Sequence, residues 1–229
     1  HQGAGISNFT SRTAAHDFAL QLSNAVSTYG LDGIDFDDEY ADYGNNGTPQ
    51  PNDSSFVMLL GELRSLMPDK IISFYYYGPA SSRLTYKNEK AGDYLDYSWN
   101  AIYGTYIVPA VPGLNKTQLA PAAVWINNTP LATAKNLARR TVTDGYGAYL
   151  CYDLGGNNAS AYLSGISMNL YNDSVVADNG CLQSWPPPAD TSGVVFFQDI
   201  NYQGSHTLPI PKGNYSLTKL AAYGFKDDW

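Results

Sequence analysis

At 229 residues, with 44% hydrophobic and 15% charged side chains, the chain can bury a substantial core in one large or two modest domains, and nothing in it reads as disordered or collagenous. Thirteen basic against twenty-one acidic residues leave a net charge of −8, with no basic patch to neutralise phosphates, which argues against nucleic acid or an anionic membrane as partner. No run is long and apolar enough to span a bilayer. Nineteen tyrosines and four tryptophans suit stacking on sugar faces, although most of the tyrosines are expected to fill cores and turns.

Taken in order, residues 11–29 predict a helix, with Ser11 as cap and Ala15, Phe18, Ala19, Leu22, Ala25, Val26 and Tyr29 on one face. Gly30 stops it in the usual left-handed position. Leu31-Asp32-Gly33-Ile34-Asp35-Phe36-Asp37-Asp38-Glu39 follows, where Ile34 and Phe36 alternate with Asp35, Asp37 and Glu39 in the two-residue period of a strand. Three carboxylates then share one face at roughly 7 Å intervals, so at least one pKa should rise, as a general acid requires. Asp32 and Asp38 fall on the other face, the first read as structural and the second as a solvated or capping acid. The turn residues from Tyr43 to Asn52 place the acids at a strand's C-terminal end, under a long loop.

Beyond the loop, Asp53 is expected to cap a second helix with Phe56, Val57, Leu60, Leu63 and Met67 inward, stopped by Pro68. Ile71 to Tyr77, Tyr94 to Asn100, Ala122 to Ile126 and Tyr146 to Tyr152 read as strands. Thr129-Pro130 is expected to open a third helix as cap and first residue, and residues 159–171 form a last one. Strands alternating with helices imply an α/β fold on a parallel sheet. Cys151 and Cys181 could pair, although a buried free thiol at Cys151 fits its apolar strand better. His1, His16 and His206 are scattered, and neither a metal nor another cofactor is expected.

Asp32-x-x-Asp35-x-Asp37-x-Glu39 resembles the DxxDxDxE signature of glycoside hydrolase family 18. The wider run from Tyr29 to Tyr40, with Asn45-Asn-Gly-Thr and Pro51-Asn-Asp-Ser-Ser-Phe, is similar to the endoglycosidase H group of endo-β-N-acetylglucosaminidases, which cut the chitobiose core of N-linked glycans. Met67-Pro-Asp-Lys-Ile-Ile-Ser, Gly78-Pro-Ala-Ser-Ser-Arg-Leu and Ala138-Arg-Arg-Thr-Val extend the similarity over about residues 1–175. The resemblance implies a (β/α)8 TIM barrel with the acidic strand fourth. Five strands are present, so the first three are expected to lie before His1 and residues 1–183 to be a partial barrel.

By the same resemblance Glu39 protonates the leaving glycosidic oxygen, Asp37 orients the substrate's 2-acetamido group, and Asp35 shares a proton or hydrogen bond with Asp37. The spacing of Asp37 and Glu39 taken alone would fit an inverting glycosidase, but family 18 uses the acetamido group as nucleophile and retains configuration. Tyr75 and Tyr77 at one strand end, Asn100 and Tyr103 at the next, and Tyr152 on the last are the candidate substrate-binding residues, with core packing an equal reading for each. Family chitinases place a tryptophan near that last position, so Tyr152 is a departure. The expected substrate is an N-glycan, glycoprotein or other chitobiose-containing oligosaccharide, and the enzyme is expected to be secreted and monomeric. A chitinase, or an inactive carbohydrate-binding barrel, is the alternative.

Residues 184–193 are a linker by composition, stiffened by three prolines. Residues 194–229, with Tyr202-x-Gly204, resemble the opening of a βγ-crystallin Greek key, a small all-β domain left incomplete. In that family an acidic pair binds calcium. Asp227-Asp228 is the candidate pair here, although a hairpin without ligand is the favoured reading.

Overall fold

The computed structural model describes residues 5–155 and 158–176, then 193–194, 197–199, 203–206, 210–211, 216, 219–220 and 222–223. It divides into two compact units, His1–Val176 and Ala177–Trp229. The linker at 184–192, Cys181 and Asp227-Asp228 lie outside the described residues.

In the first unit α1 (Arg12–Tyr29) starts and stops as expected. Ser11 Oγ accepts from the Ala14 N–H at 3.1 Å, and Gly30 takes up the left-handed conformation at φ 64°. Ala15, Ala19 and Val26 are buried, Phe18 and Leu22 lean on the core, and Tyr29 is exposed rather than inward. Strand β1 (Gly33–Phe36) pairs parallel with β2 (Ile71–Tyr76) in the register Asp35↔Ser73 and Phe36↔Phe74. Glycine is needed where the pair begins, because a Cβ on Gly33 would stand 1.9 Å from the Ile71 carbonyl oxygen.

Helix α2 (Ser55–Leu66) buries Phe56, Val57, Leu60 and Leu63, and Met67 beyond its end, as the periodicity required. Its cap differs from expectation. Asn52, not Asp53, serves the first turn: Asn52 Oδ1 accepts from the Ser54 and Ser55 N–H groups at 3.2 and 3.1 Å and from both hydroxyls at 2.9 Å. Asn52 Nδ2 meanwhile donates to the Phe9 carbonyl at 3.1 Å, so the loop turns this residue inward. Asp53 stays exposed, with its carboxylate 3.5 Å from Arg83 Nε.

A short hairpin, β3 (Thr85–Tyr86) with β4 (Glu89–Lys90), precedes β5 (Tyr97–Asn100), which pairs parallel with β2 so that Ser73 faces Tyr97 and Tyr75 faces Trp99. After β6 (Thr105–Tyr106), residues 119–125 form two pieces, β7 (Leu119–Ala120) and β8 (Ala122–Trp125). Pro121 separates them, since proline has no N–H for a ladder. β7 continues the first sheet beside β5, while β8 pairs parallel with β9 (Leu150–Tyr152) and antiparallel with β6. Helices α3 (Leu131–Asp144) and α4 (Ser160–Leu170) flank this second sheet. Thr129 does not cap α3; its Oγ1 accepts from the Trp125 N–H at 3.0 Å and ties the loop to β8. The architecture is α/β with parallel sheets, and β1, β2, β5, β8 and β9 overlap the five stretches that the sequence marks as strands, while β7 is an added parallel piece. Among the described residues, β1 and β9 each pair on one side only.

The larger core centres on Phe36, Phe56 and Phe74, with ring centroids 5.7 Å (edge-on) and 4.9 Å apart. Each such ring contributes about 1.5–3 kcal/mol of burial. Phe36 thereby pins the apolar face of β1. In the second unit β10 (Gly193–Val194) pairs antiparallel with β13 (Ile210–Pro211), and β11 (Phe197–Asp199) with β12 (Gln203–His206).

Asn52→Ala removes four accepted hydrogen bonds at the start of α2. It is expected to cost about 1–2 kcal/mol, read as a lower denaturant midpoint with an unchanged slope, whereas Asp53→Ala should cost far less.

Candidate active site

Because Ile34 and Phe36 face the core, the alternate residues of β1 and its extension face the opposite way. Asp35 stands on that face beside Ser73 and Trp99. Ser73 Oγ–H donates to Asp35 Oδ1 at 2.6 Å, and Trp99 Nε1–H donates to the same oxygen at 3.0 Å. The residue is open to solvent, yet its carboxylate lies against β2 and β5, and that crowding raises its pKa from the ordinary aspartate value. The two donors oppose the rise, and the charge of Asp37 adds to it. Asp35 thus feels Asp37 through charge and accepts its hydrogen bonds from Ser73 and Trp99.

Asp37 is joined to Glu39 instead. Asp37 Oδ1 accepts from the Glu39 N–H at 3.1 Å. Desolvation, the Asp37 charge and a hydrogen bond between the two carboxyls all raise the pKa of Glu39, while the Tyr40 hydroxyl lowers it. Glu39 is therefore held in its protonated form to higher pH than a free glutamate.

A row of rings leads away from the acids. The half-buried Tyr75 donates its hydroxyl to the Ala101 carbonyl at 2.7 Å, and its ring lies 6.4 Å from that of Tyr103. Tyr103 stacks on Tyr152 at 4.9 Å and 15°, and Tyr152 meets Trp125 edge-on at 6.0 Å. Burial holds the Tyr75 and Tyr103 phenols above their ordinary pKa, with the charges of Asp37 and Glu39 contributing. Trp125 is fixed in turn: its Nε1–H donates to Asp153 Oδ2 at 2.6 Å, and Asn127 Nδ2 donates to the same oxygen at 2.8 Å. Asp153 sits in the left-handed region at φ 67°, which turns its carboxylate back toward β8.

Of the expected residues, Asp35, Asp37, Glu39, Tyr75, Tyr103 and Tyr152 converge on one face. Tyr77 is exposed at the rim, outside the row of rings. Asn100 departs from expectation. It is 2% exposed, its Nδ2 donates to the Ile102, Thr105 and Pro121 carbonyls and to Thr105 Oγ1, and its Oδ1 accepts from the Ile102 N–H. Its amide is spent on shaping the loop that carries Tyr103. Asp38 is likewise no solvated acid, being 2% exposed. Cys151 is free and half-buried, and burial pushes its thiol up to about 11.

Sequence reasoning missed Trp99 and Trp125. Strand parity was the available signal: Trp99 shares a face with Tyr97, and Trp125 with Ala123. Among the described residues no cluster of three His, Cys, Asp or Glu side chains is arranged to hold a metal, and no helix is long and apolar enough to cross a membrane.

No family model matches the chain. An endo-β-N-acetylglucosaminidase of Flavobacterium sp. (strain SK1022) is 53% identical over 171 residues, covering 75% of this chain and 54% of that protein. The chain is a relative of the endo-β-N-acetylglucosaminidases. Endo-β-N-acetylglucosaminidase F1 of Elizabethkingia meningoseptica is 33% identical over 191 residues, 78% of this chain and 56% of that protein. The chain therefore spans about half the length of the curated relatives it matches. In fold it is similar to EndoBT-3987 of Bacteroides thetaiotamicron, solved with a Man5GlcNAc product, at a TM-score of 0.64 and 24% identity over 77% of this chain and 42% of that one. The same enzyme is solved with a Man9GlcNAc2Asn substrate and matches at a TM-score of 0.63 and 22% identity, over 77% of this chain and 46% of that one. A family 18 chitinase from the fern Peteris ryukyuensis shares the fold at a TM-score of 0.50 and 18% identity, over 70% and 65% of the two chains. These structural neighbours are family 18 TIM-barrel enzymes.

Trp99→Phe removes one of the two donors that stabilise the ionised form of Asp35. The Asp35 pKa is expected to climb further above the ordinary value, as read by carboxyl-carbon NMR titration. An unchanged or lower value would show that the indole does not support the charge.

Proposed function

We propose that the chain carries the catalytic acids of an endo-β-N-acetylglucosaminidase that hydrolyses the GlcNAc-β1,4-GlcNAc core of N-linked glycans with retention of configuration. The observation that carries this reading is the joined pair Asp37 and Glu39, in which burial, with the charge and hydrogen bond of the first acid, raises the pKa of the second. Glu39 gives its proton to the glycosidic oxygen as the bond to C1 breaks. The carbonyl oxygen of the substrate's own 2-acetamido group closes on C1, and Asp37 accepts from the acetamido N–H and balances the oxazolinium charge. Water then attacks C1 from the face that the leaving sugar vacated, Glu39 takes its proton, and the β configuration returns. Asp35, ionised less readily than an ordinary aspartate, limits the negative charge beside Asp37. Tyr75, Tyr103, Tyr152 and Trp125 offer ring faces to the sugars. Tyr77 is placed at the outer edge of that surface, and Asn100 supports it from within.

Relatives named endo-β-N-acetylglucosaminidase favour an N-glycan substrate over chitin. The presence of Glu39 favours an enzyme over a carbohydrate-binding barrel. Secretion, a monomeric state and independence of cofactors complete the reading, which also retains the boundary at 183, the linker at 184–193 and a βγ-crystallin-like start at 194–229. The antiparallel pairing of β11 with β12 supports that last part.

Glu39→Gln is expected to lower cleavage of a Man9GlcNAc2-asparagine glycopeptide by about 100-fold or more, with glycan binding kept. Asp37→Asn should cut hydrolysis as severely but spare reaction of a pre-formed sugar oxazoline. Equal loss on both substrates would favour a plain two-carboxylate route, and faster cleavage of chitin oligosaccharides by the wild-type protein would favour the chitinase reading.

A cleft of about 340 Å3 lies beside β1, bordered by Asp35, Asp37, Asp38 and Glu39 as well as by Ile6, Phe9, Phe18, Leu22 and Ile34.

A further inference from the structure

Asp38 sits in the chain between the two proposed catalytic acids, and its side chain goes the opposite way, into the protein. Asp38 Oδ2 accepts from Ser7 Oγ–H at 2.6 Å and from the Ala80 N–H at 2.8 Å. Its Oδ1 accepts from the Tyr43 hydroxyl and, at 3.4 Å, from the Ile6 N–H. The Tyr43 oxygen in turn accepts from the Ser7 N–H at 2.9 Å, closing a ring of partners around the carboxylate. The donors come from three separate segments: the stretch before α1, the loop after β1, and the turn after β2. The backbone is gripped as well. A Cβ on Gly78, which has φ 67°, would lie 2.2 Å from the Asp38 carbonyl oxygen, so β2's exit turn presses directly on this peptide.

We infer that Asp38 is the positioning residue of the site: by anchoring its own peptide to Ser7, Tyr43 and Ala80, it fixes the neighbouring Asp37 and Glu39 beside each other. The inference rests on the function proposed above for those two acids. The strand proper ends at Phe36, so no ladder hydrogen bond holds residues 37–39 in register. Asp38 replaces the ladder with four side-chain hydrogen bonds. An anion with four donors is strongly bound, and no neighbouring cation is needed. A carboxylate is suited to the place because all its partners donate; an amide would turn an N–H toward one of them. Tyr43 is shaped to the same end, its phenol held protonated by burial and by Asp38, so it stays a donor.

The test uses the complete polypeptide and removes donors one at a time, because Asp38→Asn leaves donors unpaired in a buried place and risks unfolding. Tyr43→Phe and Ser7→Ala each leave the carboxylate three partners. Glu39 is faced by Asp37 and Tyr40 from its own segment, and by Tyr75 and Tyr103 from β2 and the loop after β5. If Glu39 swings away from Asp37, its pKa relaxes downward, and a reaction needing protonated Glu39 loses its alkaline limb at lower pH. Each variant, folded by circular dichroism, should therefore show kcat on the Man9GlcNAc2-asparagine glycopeptide lowered about tenfold, KM within twofold of the wild type, and an alkaline limb displaced to lower pH. The same displacement should appear in a carboxyl-carbon NMR titration of Glu39, which needs no turnover. Folded variants with unchanged limb and unchanged Glu39 titration would overturn the positioning role. An inactive wild-type protein would sink the proposed function, while the titration would still decide whether Asp38 sets the Glu39 environment.

Discussion

Like charges side by side on a strand face repel, and the structure keeps them there by making the other face of the same strand too costly to move. Ile34 and Phe36 are locked against α1, α2 and the Phe56–Phe74 pair, so β1 cannot roll to separate its acids. Rolling would expose Phe36, at about 1.5–3 kcal/mol for the ring alone. Repulsion is relieved in another way: protons stay on Asp35 and Glu39 to higher pH than usual. The hydrophobic core and the acid–base behaviour are thus one arrangement seen from two sides of a four-residue strand.

The same division governs the neighbouring strands. Phe74 and Ser98 point into the layer between sheet and helices, leaving Ser73, Tyr75 and Trp99 for the face with the acids. Ser73 and Trp99 moderate Asp35, and Tyr75 relays the surface onward to Tyr103 and Tyr152. Polar groups on this face are bound by partners that are themselves held by packing, and that fixes their directions without a bound ligand.

How much of this was legible in the sequence depended on the range of the interaction. The acids of β1, the ends of α1 and the five strands follow from spacings of two to four residues, which the chain displays openly. The cap of α2 was misplaced by one residue, because the choice of Asn52 over Asp53 is made by Phe9, 43 residues away. Asp38 was half legible: parity sent it away from the other acids and it does cap the Ala80 N–H, but its burial was hidden because its donors Ser7 and Ala80 lie 31 and 42 residues distant. Asn100 could be read as a ligand contact or as packing, and the fold of the 102–105 loop makes it an internal brace. Trp99 and Trp125 were legible by parity and overlooked.

The break at Pro121 bears on shape. Parallel strands that change direction can spread the turn over many residues or gather it at one corner, and here residues 119–125 pass from one sheet to the other at Pro121. The Pro121 carbonyl accepts from Asn100 Nδ2 at 2.9 Å and from the Ile107 N–H at 2.8 Å, so the corner is braced rather than loose. On one side of it stands the wall with the carboxylates, on the other the wall with Tyr152 and Trp125. The angle between the carboxylates and the row of rings therefore turns on this braced corner.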